Sequence, residues 1–194
     1  MVDGLVWGCT LLICGFISYL SVVHARKEDK LNHEALKRQA KKRKGTVQKI
    51  LLMPPILEFS DKGIKFTVFS SSSGTQWSCM KCTVQKFRAF TCIIVPRDYI
   101  SLPSTGNRPP ELHLEEPMGP NLFAIYANDK DMTQRFLDND VREALQQLGS
   151  WGQMELKNGF FELKVTGMIT EDQEANLLIE SGLTIIQKLI DLHR

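Results

Sequence analysis

Gln153 to Val165 reads QMELKNGFFELKV. Two short apolar runs, Gln153–Leu156 and Phe160–Val165, flank Lys157-Asn158-Gly159. Asn-Gly between such runs is the strongest short-range signal for a β-hairpin, because both residues tolerate the positive φ of a tight primed turn. A short connection through Gly167 leads into a closing helix over residues 171–192, where Leu178, Gly182, Ile185, Ile186 and Leu189 form one apolar stripe. Thr170 with Gln173 is the expected capping pair. The stripe predicts that this helix packs on a sheet carrying Phe66, Ile125 and Phe161.

Upstream of the hairpin, residues 121–127 read NLFAIYA, apolar on both faces, which predicts a central strand. Asn128-Asp129 signal a helix start. Phe136, Leu137, Val141, Ala144, Leu145 and Leu148 recur at helical spacing over residues 131–148, with Asn139 as a brief interruption. Residues 102–120 hold five prolines and two glycines and predict a loop, with a short strand at 111–114. Three strands precede it: 63–70 (GIKFTVFS), 76–84 and 88–95, rich in aromatic and β-branched side chains. The turn SSSGT separates the first two. The apolar segment 50–57 contains Pro54-Pro55 and cannot be a regular helix throughout; it reads as an entry segment. Antiparallel strands with the helices grouped late predict an α+β fold, an antiparallel sheet with helices on one face.

The N-terminus is of another kind. Leu5 to Val23 reads LVWGCTLLICGFISYLSVV, without a charge. As a helix it spans about 28 Å, close to a bilayer's hydrocarbon core of roughly 30 Å. Residues 26–49 then carry ten Lys/Arg against three Asp/Glu, a net of +7. The N-terminal flank has no Lys or Arg, which argues against a signal peptide and places the basic side in the cytosol. The expected organisation is an extracytoplasmic 1–4, a transmembrane 5–23, a basic juxtamembrane arm 24–49 and a cytosolic domain 50–194. The expected location is a plasma or bacterial inner membrane. The whole chain is +2 and Asp3 is the only charge in residues 1–25, so residues 50–194 carry −4. That acidity argues against nucleic acid as a partner. Lys41, Lys42, Arg43 and Lys44 are the candidates for contact with anionic lipid head groups.

The order of elements from NLFAIYAND (121–129) through VREALQQL (141–148) and MELKNGFFELKV (154–165) to a closing amphipathic helix resembles a group of bacterial membrane-anchored proteins of unknown function. The resemblance implies one or two N-terminal spans and a cytosolic α+β domain. It brings no catalytic residues.

Chemistry-bearing motifs are sparse. Cys79-Met80-Lys81-Cys82 lies in a predicted strand, where residues three apart point to opposite faces. It therefore predicts neither a disulfide nor a metal site. Asp129 and Asp131 follow a strand, where acidic sites occur, but helix capping explains them. Asp138 and Asp140 read the same way. His24, His33, His113 and His193 show no ligand spacing. No catalytic, cofactor or metal residues are assigned. The expected function is a membrane-anchored interaction module whose ligand is a protein, self-association being left open. The alternatives are an enzyme with an acidic site near Asp129/Asp131 and a lipid-sensing protein acting through its basic arm.

Overall fold

The computed structural model describes residues 2–49, 53–71, 75–97, 109–113, 123–149 and 152–192, with side chains from Cys14 onward. The predicted loop 102–120 lies outside the described residues except for 109–113, as do most of the SSSGT turn and His193. Helix α1 (Val2–Arg43) leads into strands β1 (Thr46–Gln48), β2 (Ile56–Asp61), β3 (Ile64–Ser71), β4 (Trp77–Thr83), β5 (Cys92–Pro96) and β6 (Phe123–Ala127). Helices α2 (Lys130–Phe136) and α3 (Asn139–Gln147) follow, then β7 (Gln153–Lys157), β8 (Phe160–Thr166) and α4 (Asp172–Asp191). The strands form one eight-stranded sheet in the order β1-β2-β3-β4-β8-β7-β5-β6, with antiparallel pairing between every two neighbours. The fold is α+β, as the sequence predicts.

The hairpin forms at its predicted place. Asn158 and Gly159 have φ of 54° and 78°, and Lys157 faces Phe160 across a two-residue loop. A second hairpin of this kind joins β2 to β3 through Lys62 and Gly63, at φ 47° and 81°. Strand β2 corrects the reading of 50–57 as an entry segment only. Beyond Pro54-Pro55 the chain alternates, with Leu57 and Phe59 buried and Ser60 exposed.

One face of the sheet carries the main core. Leu57, Phe59, Phe66, Val68, Met80, Phe161, Leu163, Met154 and Ile94 meet Phe136, Val141 and Leu145 of the shorter helices and the stripe of α4. Leu178, Ile185, Ile186 and Leu189 are all buried. Gly182 lies so close to β4 that an added Cβ would stand 2.5 Å from Met80 Sδ. The cap of α4 is shifted one residue from the Thr170/Gln173 expectation. Glu174 Oε2 accepts from the Thr170 amide at 2.9 Å and the Glu171 amide at 3.1 Å.

Two further corrections concern positions in the sheet. Strand β6, expected in the centre, forms the edge next to β5. Its apolar outer face packs as a small second cluster of Ile93, Val95, Ala124 and Tyr126. Its free edge is covered locally: the Leu112 amide donates to the Ile125 carbonyl at 2.7 Å and Glu111 bridges to Tyr126. The strand predicted over 88–95 starts only at Cys92, after a 3-10 turn at Gln85–Phe87. The helix predicted over 131–148 divides at Leu137–Asp138, beside the suspected Asn139.

Candidate functional site

The arm does not stop at the surface of the domain. Helix α1 runs unbroken through the apolar segment and the arm, and its last third enters the core. Asn32, Ala35, Leu36, Gln39 and Ala40 are buried. Their spacing of i, i+3, i+4, i+7 and i+8 is one face of a helix. Leu31, beside this face, is 38% exposed.

Polar groups fix this seam in register. Asn32 Nδ2 donates to Ser70 Oγ at 2.9 Å and to the Ile169 carbonyl at 2.7 Å. Ser70 Oγ lies 2.8 Å from Ser78 Oγ, which donates to the Gly167 carbonyl and accepts from the Ile169 amide. One buried network thus ties α1, β3, β4 and the β8–α4 connection together. Such a network favours this register, since a slip would leave further buried polar atoms unpaired beside Asn32 Oδ1, which already has no partner.

The exposed rim of the seam is ionic. Gln39 Nε2 donates to Asp172 Oδ1 at 2.9 Å, and Lys42 Nζ lies 2.6 Å from Asp172 Oδ2. Arg43 Nη2 reaches Asn176 Oδ1 at 3.1 Å and Glu180 Oε1 at 2.7 Å, with its guanidinium 5.7 Å from the Phe59 ring centroid. Lys49 pairs with Asp29 at 2.7 Å. The helix then ends sharply. Lys44 has a φ of 53° and the Gly45 amide donates to the Ala40 carbonyl, the hydrogen bond that closes a Schellman motif. Only glycine fits at 45, because a Cβ would sit 2.5 Å from the Glu58 carbonyl oxygen.

Of the four proposed lipid-contacting cations, Lys42 and Arg43 are therefore paired with α4, and Lys41 and Lys44 are exposed beside them. At the other end of α1 the described apolar side chains lie open on all sides, Phe16 at 62% and Tyr19 at 65% exposure. Among the described residues, no helix is long and apolar enough to cross a membrane. The expected span lies outside the described side chains from Leu5 to Ile13.

The remaining candidates have structural roles. Asp129 Oδ1 caps α2 through the Met132 amide at 2.9 Å, and Asp138 Oδ1 caps α3 through the Val141 amide at 3.1 Å. An open pocket of about 390 Å³ lies beside Asp129, between Lys86, Phe90, Met132 and Arg135. Its Asn128 is committed to the Thr91 amide and the Ala89 carbonyl, and Asp131 is exposed on the first turn of α2. Among the described residues, no group of three or more His, Cys, Asp or Glu is placed to hold a metal. Cys79 and Cys82 are buried free thiols, as is Cys92. Burial pushes Cys82 and Cys92 up to about 12 and Cys79 higher still, so none supplies a thiolate at neutral pH.

Titration bears on the seam. The Lys42 ammonium holds the Asp172 carboxyl below its ordinary range. Burial pushes Asp138 up, but hydrogen bonds from Lys188 and the Val141 amide outweigh it and leave the carboxyl lowered. Burial, then Lys37 and Lys49, push His33 down. A carboxyl lowered by folding contributes stability above its unfolded pKa near 4, lost as pH falls through the folded value. A histidine lowered by folding takes up its proton sooner when unfolded, so its contribution fades as pH falls below about 6.5. Both act in one direction. The thermal midpoint is expected to fall gently from pH 7 to 5 and steeply below pH 4. A midpoint that is flat from pH 7 to pH 3 would contradict these assignments.

No protein-family model matches the chain, and no curated protein matches it. Among solved structures it is similar to the mycobacterial trehalose monomycolate transport factor A, TtfA. The likeness has a TM-score of 0.57 at 12% sequence identity, and covers 84% of this chain and 94% of the chain in that crystal structure. At that identity it concerns the fold.

Sequence reading missed Asn32, Gln39, Ser70 and Ser78. A signal for the first two was present: in a charge-rich arm, the amides Asn32 and Gln39 share one helical face with Ala35, Leu36 and Ala40.

Proposed function

We propose that this chain is a membrane-anchored, non-catalytic platform that presents its α+β domain to a protein partner in a fixed orientation at the bilayer. The observation that carries the reading is the continuity of α1, from the uncharged segment into the core. From Val23 to Asn32 is nine residues of helix, about 14 Å. A flexible tether is absent over that distance, so the domain follows the anchor as one body. The pairs Asn32–Ile169, Gln39–Asp172 and Arg43–Glu180 ascend together, so α4 runs parallel to α1 and away from the membrane side.

The same geometry divides the basic arm into two tasks. Arg26, Lys27 and Lys30 follow the apolar segment within two turns, at head-group depth. Lys41 to Lys44 stand roughly 27 Å or more beyond Val23 along the helix, where Lys42 and Arg43 dock α1 onto α4. The N-terminal flank without Lys or Arg, against the +7 arm, supports a cytosolic domain. That the structural neighbour is a transport factor supports an accessory role in a transport process as the setting.

The full chain is expected to stay with membranes in alkaline carbonate and at high salt, and to expose its domain to protease only from the cytosolic side. Release by carbonate, or a mature chain beginning near Arg26, would overturn the anchor. Salt-sensitive flotation of residues 24–194 with anionic vesicles would favour the lipid-sensing reading instead.

A further inference from the structure

Helices α3 and α4 pack side by side, and the outer groove between them is acidic. Its walls are Asp140, Glu143 and Gln147 from α3, with Glu180 and Thr184 from α4, around about 320 Å³. Through Asp140 and Thr184 it continues into a second open stretch of about 400 Å³ that adds Asp61, Asp138 and Asp191. The cations facing it are already engaged. Lys188 is paired with Asp138, Lys62 donates to Gln187, and Arg43 reaches Glu180 from the α1 side. Asp140 and Glu143, by contrast, have no side-chain partner among the described residues.

A second observation points to a ligand. Ser181 lines the same groove, is only 3% exposed, and its buried Oγ has no hydrogen-bond partner. A buried hydroxyl left unpaired destabilises the free protein, and a donor arriving in the groove would satisfy it. The neighbouring ridge already shows what the donor looks like: the guanidinium of Arg43 takes Asn176 Oδ1 and Glu180 Oε1 together.

We infer that the α3–α4 groove binds an Arg- or Lys-bearing segment of a protein partner, whose cationic side chains pair with Asp140 and Glu143 and donate to Ser181. Charge complementarity carries the choice of occupant. A bare metal ion is disfavoured by the ligand set, which lacks three convergent metal-binding side chains among the described residues. The inference rests on the reading of the chain as a platform for a protein, and assigns that partner's chemistry.

The test uses the full chain in nanodiscs of neutral phosphatidylcholine, with a fluorescent nona-arginine peptide as probe. Asp140→Asn with Glu143→Gln is expected to weaken binding about tenfold at physiological salt, while Glu155→Gln with Glu111→Gln, away from the groove, leaves it unchanged. Ser181→Ala is expected to weaken binding and also to raise the thermal midpoint by about 2–4 °C. That pair of effects separates a binding hydroxyl from a merely structural one. Equal affinity of the wild type and the groove double variant would overturn the proposal. So would an equal loss in the control pair, which would mean diffuse attraction. Insertion is scored in the same samples, so failure of the anchor reads as empty discs and failure of the groove as unselective binding.

Discussion

Replacing Ile186 by alanine is expected to cost about 2–5 kcal/mol of unfolding free energy. Ile186 is buried on the α4 stripe with Leu178, Ile185 and Leu189, over the strands that carry Met80 and Leu163. Gly182 brings the helix axis so close to β4 that the neighbouring side chains have little room to refill a void. A cavity would remain, and its cost adds to the lost transfer energy. Against a typical stability of about 5–15 kcal/mol this is a large fraction. Denaturant unfolding of the full chain in detergent measures it. Unchanged stability with lost self-association or partner binding would mean that the stripe serves as an interface rather than a core.

The second large effect is expected from Leu36→Asp. Leu36 is fully buried where α1 meets the sheet beside Leu57 and Phe59. The change removes about 1.5–3 kcal/mol of apolar burial. It also buries a carboxylate without a partner, at roughly 3–5 kcal/mol. Together these exceed what one helix seam supplies, so α1 should leave the domain. Trypsin is then expected to cut at Lys37 and Arg38, which the docked helix protects. Leu31→Asp, one turn away and exposed, is the control and should leave the digestion pattern unchanged. Equal resistance of Leu36→Asp and wild type would show that α1 contributes no stabilising contact.

What was legible in the sequence followed from strong local rules. Asn158-Gly159 specifies a turn that other residues adopt at a cost, and the hairpin stands in register. The α4 stripe was readable because burial on one side of a helix imposes its period on the sequence. The break near Asn139 was readable because Asp138 and Asn139 are capping residues. The misplaced parts have non-local causes. Strand β2 was obscured by Pro54-Pro55, which mark only its approach. Strand β6 is apolar on both faces, but a covered edge buries both faces as well as a central position does. The division of the chain at residue 49 assumed that a charged arm is solvated. Its charges sit on the outer face and rim, while amides and alanines make the seam. The amides' partners are non-local: Asn32 meets Ser70, 38 positions away, and Ile169, while Gln39 meets Asp172.

In the proposed architecture α1 joins anchor and domain as one rigid body. The most direct test is a pulsed electron–electron dipolar measurement between spin labels at Lys27→Cys and Thr83→Cys, with Cys9 and Cys14 replaced by serine. Cys79, Cys82 and Cys92 are buried and remain unlabelled. One narrow distance distribution, the same in detergent and in nanodiscs, is the predicted result. A broad distribution that shifts between the two environments would show a domain swinging on its arm, and would contradict a rigid α1 connection.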